Sequence, residues 1–123
     1  MELTDGILND IKEAIGLSSE ASPFDTEILM HINGAIGELN QNGVGMSIEI
    51  DNTTTWGSLQ DPQQVNGNKY FNLIPLFIKL QTKLLFDPPP PSSVAYHADN
   101  VSRLLWRLKI AYEEPYIAPT DNV

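Results

Sequence analysis

Leu73-Ile74-Pro75-Leu76-Phe77-Ile78-Lys79-Leu80-Gln81-Thr82-Lys83-Leu84-Leu85-Phe86, running straight into Asp87-Pro88-Pro89-Pro90-Pro91, is the stretch on which the fold turns. A proline run supplies no backbone N–H to a helix and clashes with the turn before it, so a helix ends at Phe86. Pro75 suits a first turn better than an interior, which puts the helix start between residues 69 and 75. Within it, Leu73, Phe77, Leu80 and Leu84 form one apolar row, and Ile74, Ile78 and Leu85 form the next. Lys79, Thr82 and Lys83 remain as a narrow polar strip. A helix with so wide an apolar arc is central, packed on more than one side.

Working outward, the proline run reads as a rigid connector to a further helix, capped by Ser92 or Ser93 and running to about Tyr112. Its inner face carries Val94, Val101, Leu104, Leu105, Leu108 and Tyr112. Upstream, Ser22 as cap, Pro23 at the first helical position and Asp25 near the positive helix end open a helix that reaches Gln41 and stops at Asn42-Gly43. Phe24, Ile28, Ile32, Ala35, Ile36 and Leu39 form its buried stripe, with Glu27, Asn33 and Glu38 outside it. A first, short helix spans residues 5–15 behind Thr4, with Gly16 as its stop. Between the second and third helices, Met46, Ile48 and Ile50 alternate with Ser47 and Glu49, the period of a short strand or extended arm. Asp51-Asn52-Thr53 favours a turn, and Thr54 or Thr55 opens a single helical turn through Trp56 and Leu59. The fold class is therefore mostly α, with four helices. A chain of 123 residues makes one domain, residues 1–114, followed by a C-terminal tail, residues 115–123, expected to be mobile until a partner holds it, with no core pattern in residues 118–123.

The chemistry is sparse. With 16 acids against 7 bases the net charge is −9, which opposes binding to nucleic acid phosphates or to an anionic membrane. No run approaches the ~18 consecutive apolar residues of a membrane helix. Without cysteine there is no thiol nucleophile, disulfide scaffold or cysteine-ligated metal. Gly43-Val44-Gly45 lacks a phosphate-loop lysine and reads as a turn. His31 lies one helical turn after Glu27, the spacing of a surface ion pair, and His97 falls on the apolar side of the fourth helix, as a core histidine would. No catalytic, metal-ligating or cofactor-binding set emerges from these residues.

Charge is distributed unevenly. Residues 1–66 hold eleven acids and one base, whereas residues 67–123 hold five acids and six bases. Lys79 with Lys83, and Arg103 with Arg107, are like-charge pairs one turn apart that call for an acidic surface, either on the first two helices of this chain or on a neighbouring copy. Trp106 sits well around the helix from Val101, so it either packs on another part of the chain or anchors an interface. Arg103, Trp106 and Arg107 are thus candidate interface residues. Tyr116 and Ile117, flanked by Pro115 and Pro119, are candidate anchors in a tail whose prolines lower the cost of ordering on a partner.

Taken in order, Phe24-Asp25-Thr26-Glu27-Ile28-Leu29-Met30-His31-Ile32-Asn33, Leu39-Asn40-Gln41, Gly43-Val44-Gly45, Lys83-Leu84-Leu85-Phe86-Asp87-Pro88-Pro89 and Trp106-Arg107-Leu108 resemble the head-tail connector proteins of tailed phages, the adaptor beneath the portal. The resemblance covers about residues 5–114. It implies a non-enzymatic, helical subunit of a dodecameric ring, with the portal protein on one side and a stopper or tail completion protein on the other. It places the protein in the virion neck after assembly in the host cytoplasm, without cofactor or membrane, and with genome DNA passing through a channel that does not bind it. Acidic walls suit such a channel because they do not hold phosphates. The alternative reading of the same charge is a small acidic regulatory protein that mimics DNA. The two differ in solution: the first assembles with concentration or on a portal, and the second competes with DNA.

Overall fold

The computed structural model describes residues 3–18, 20, 22–45, 47–60 and 71–113. In chain order the elements are α1 (Ile7–Ala14), α2 (Asp25–Gln41), a 3-10 turn (Trp56–Leu59), α3 (Leu73–Phe86) and α4 (Pro91–Glu113). The protein is mostly helical, as expected. No strand occurs among the described residues; Met46 lies outside them, and residues 47–50 carry no strand pairing, with Ile50 buried and Ile48 partly so between exposed Ser47 and Glu49.

α3 is the central helix. It packs against both α2 and α4, which lie on different sides of it and make little direct contact, while α1 closes over α2 and α3. Its buried arc is rotated from the expected one. Ile74, Phe77, Ile78 and Thr82 are buried, whereas Leu76, Leu80 and Leu85 are exposed and Leu84 is half-buried. Thr82 belongs to the core, not to the polar strip. With apolar residues nearly all round, the narrow strip of Lys79, Thr82 and Lys83 fixes the phase only weakly, and contact with α2 decides it.

The helix starts also shift for physical reasons. α1 begins at Ile7, not residue 5, because the chain before it is used laterally. Gly57 N–H donates to Leu3 O, Trp56 N–H to Asp5 O and Ile7 N–H to Thr54 O, at 2.9, 3.1 and 3.0 Å, around one isolated antiparallel bridge between Gly6 and Thr55. Gly16 ends α1 with a positive φ of 88°. α2 begins at Asp25 behind Phe24 and has no side-chain cap, so Ser22 contributes its carbonyl to Asp25 N–H and not its hydroxyl. Phe24 is 46% exposed, outside the core, and meets Phe86 edge-on with centroids 5.5 Å apart. Pro91 opens α4, a position where its missing N–H costs nothing, so Ser92 and Ser93 lie in the first turn. The inner face of α4 is Val101, Leu104, Leu108 and Ala111, with Val94, Leu105 and Tyr112 partly buried.

Two polar nodes lock the core. The indole of Trp56, fully buried, donates to Asp10 Oδ2 at 2.8 Å, and Lys79 Nζ stands 3.6 Å from the same oxygen. One carboxylate thus ties α1, the 3-10 turn and α3 together. Lys12 is also buried, with its ammonium 2.8 Å from Asp25 Oδ1 at the start of α2.

Candidate functional site

The titratable residues do not converge. No cluster of three or more metal-capable side chains exists among the described residues. His31 Nε2 lies 3.9 Å from Glu27 Oε1, the expected turn-spaced pair, and its ring meets Phe86 edge-on. His97 is exposed, contrary to the core position read from its apolar neighbours, and sits edge-on to Tyr96 with centroids 5.4 Å apart. The reason is a cleft of about 480 Å³ between the C-terminal half of α3, the proline connector and the start of α4. Leu80, Leu84 and Val101 give it apolar walls, with Lys83, His97 and Asn100 as polar groups. The two helices do not close there, so the residue that would enter a core enters solvent.

A second concavity, about 780 Å³ and wide open, runs along α2 beside residues 47–51. It exists because one side chain holds the irregular segment at a fixed distance from the helix. Asn33 Oδ1 accepts Ile50 N–H at 2.7 Å, and Asn33 Nδ2 donates to Ile50 O and to Leu29 O, both at 3.0 Å. Leu29, Met30, Ile36 and Ile48 form the apolar part of the groove, and Gly37, with no side chain, leaves it open on the helix side. Glu49 and Asp51 supply its acidic rim. Asp51 carries a carboxyl held below the usual aspartate range by hydrogen bonds from the Thr53 hydroxyl, the Thr53 backbone N–H and the Thr54 hydroxyl, so it is an anion at neutral pH. Asn33 is the positioning residue here that its place outside the apolar stripe did not reveal. A signal was present: asparagine is a poor helix former, and one in a helix interior beside an apolar stripe invites a search for its partner.

The outer face of α4 is the third feature. Tyr96, Trp106 and Ile110 are 67, 59 and 41% exposed. They follow one another at three-, four- and seven-residue spacings with Arg103 and belong to one stripe. Trp106 therefore does not pack into the core of its own chain; Lys109 Nζ lies 5.6 Å from its ring centroid. Arg103 is answered by Asp99 of the same helix at 3.0 Å, and Lys79 by Asp10 of α1. Lys83 and Arg107, both exposed, have no ion pair among the described residues. The tail candidates Tyr116, Ile117 and Pro119 lie outside the described residues.

No helix among the described residues is long and apolar enough to cross a membrane. A family model described as phage connector protein matches residues 7–115. Neither the curated proteins nor the solved structures include a match.

Proposed function

The chain belongs to the phage connector protein family, and on that basis we propose that it is the head-tail adaptor, a structural subunit that forms a ring beneath the portal. The ring joins the DNA-filled head to a stopper or tail completion protein and lines the DNA channel in the neck of the virion. The observation that carries this reading is the outer face of α4. A domain that buries Trp56, Phe77 and Ile78 completely leaves a tryptophan, a tyrosine and an isoleucine outside, on a helix that also displays Arg103 and Arg107. Exposed aromatic and arginine side chains grouped in this way mark protein interfaces. The net charge of −9 supports the channel role, since genome phosphates slide past acidic walls without being held.

In this reading the tail, through Tyr116, Ile117 and Pro119, engages the portal, and deletion of residues 115–123 leaves folding intact while abolishing attachment. The test is sedimentation of the full chain over a range of concentrations, alone and with its portal, beside the truncated chain. A concentration-dependent or portal-bound ring supports the assignment. A stable monomer that ignores the portal and competes with DNA for a DNA-binding protein supports the acidic-mimic alternative.

A further inference from the structure

The α2 groove and the α4 ridge are complementary, and one copy cannot bring them together. α2 and α4 lie on different sides of α3 with little contact between them, so their outward faces look in different directions. One face is concave, apolar at Met30 and acidic at Glu49 and Asp51. The other is convex, apolar at Trp106 and Ile110 and cationic at Arg107, with Arg103 beside it in an exposed pair with Asp99 that can exchange partners. Two different, mutually complementary patches on one chain make a head-to-tail contact, which closes into a ring when the rotation allows.

We propose that a second copy of this chain occupies the groove: the α4 ridge of one subunit seats along α2 of the next, with Trp106 over Met30 and the two arginines toward Glu49 and Asp51. This rests on the ring reading given above and names the surfaces that build the ring. The dimensions agree. At 1.5 Å per residue the ridge from Arg103 to Ile110 is about 10 Å long, and the α2 side of the groove, from Thr26 to Asn40, is about 21 Å. Two turns of helix therefore fit within four. Charge agrees as well, since Arg107 has no ion pair among the described residues and Asp51 is held ionised by its own turn. Gly37 leaves open space where a side chain would obstruct a bulky ring, because a Cβ placed there meets nothing within 4 Å. The same arrangement accounts for the charge split of the sequence: an acidic half and a more basic half of each chain serve opposite ends of one interface.

The absence of cysteine makes a clean test possible. In the full chain, Met30→Cys and Ile110→Cys are introduced together, both at exposed positions, and treated with a short bismaleimide cross-linker. The proposal predicts a ladder of covalent multimers beyond the dimer, because each copy offers one site on each face; either single variant stops at dimers. A second pair, Met30→Cys with Asn9→Cys at an exposed position of α1, gives no ladder. In parallel, Arg107→Glu weakens assembly about three- to tenfold, Glu49→Arg in the same chain restores it, and rising salt weakens the parent. If the parent forms rings but the Met30 and Ile110 pair gives no ladder, this interface is wrong and the ring reading stands. If the parent remains monomeric with and without its portal, both fail.

Discussion

The side-chain amide of Asn33 closes on both backbone polar groups of Ile50, accepting the N–H at 2.7 Å and donating to the carbonyl at 3.0 Å. One residue thus stands in for the neighbouring strand that the 47–50 segment does not have. It fixes the rim of the α2 groove and keeps Ile50 at 3% exposure. Asn33→Ala leaves two nearly buried backbone groups without their partner and should cost about 1 to 3 kcal/mol in denaturant titration. Hydrogen exchange at the Ile50 amide should rise by more than the global loss explains. Unchanged exchange there would mean that the segment is held by something else.

The rotation of α3 separates Leu80 energetically from Phe77, which shares its apolar row. Phe77→Ala should cost about 3 to 5 kcal/mol, because a fully buried ring leaves a cavity. Leu80→Ala, at a position 38% exposed, should cost well under half of that. Thr82→Val should stabilise by about 1 to 2 kcal/mol, since Thr82 Oγ1 is buried with no hydrogen-bond partner and valine keeps the shape. Equal losses at Phe77 and Leu80 in thermal or chemical denaturation would place the central helix in the phase that the apolar rows first suggested.

These contrasts show what is legible in such a sequence. The stops of α2 and α3 were readable because Asn42-Gly43 and the proline run act through local backbone sterics. The stripe Ile28, Ile32, Ala35, Ile36 and Leu39 was readable because its polar opposite face fixes its phase. Periodicity misplaces Thr82 and Leu80 because the polar strip of α3 is too narrow to fix its phase. His97 was misplaced because periodicity gives the side of a helix but not whether a neighbour covers it, and α3 and α4 part at the proline connector. The late start of α1 was hidden because residues 3–7 bond to residues 54–57, a pairing that no local pattern announces.

Lys12 and Asp25 offer an asymmetric test. Asp25→Asn removes the counter-charge from an ammonium that is 1% exposed, and should cost about 1 to 3 kcal/mol, less than a fully buried pair because Asp25 is partly exposed. Lys12→Met removes the charge itself and fills the same space, so it should be near neutral. Equal, small losses for both in urea titration would show that the pair is solvated.

Asp51 sets a local pH dependence. Its carboxyl is held below the usual value of about 3.9 by bonds to the ionised form, so their contribution is complete above that pH and is lost as pH falls through the lower folded value. An NMR titration should find Asp51 below the ordinary aspartate range. Thr53→Ala, which removes the 2.6 Å hydroxyl bond, should move it upward. A parent Asp51 that titrates at or above the ordinary value would contradict the turn geometry.

The central claim, that this chain is the adaptor ring beneath a portal, is tested most directly by cryo-electron microscopy of the full chain mixed with the portal protein of its own phage. The account predicts a coaxial ring of twelve copies on one end of the portal, in which α4 of each subunit lies along α2 of the next. Portal particles that look the same with and without a saturating excess of the chain, with the chain remaining monomeric in the background, would contradict it.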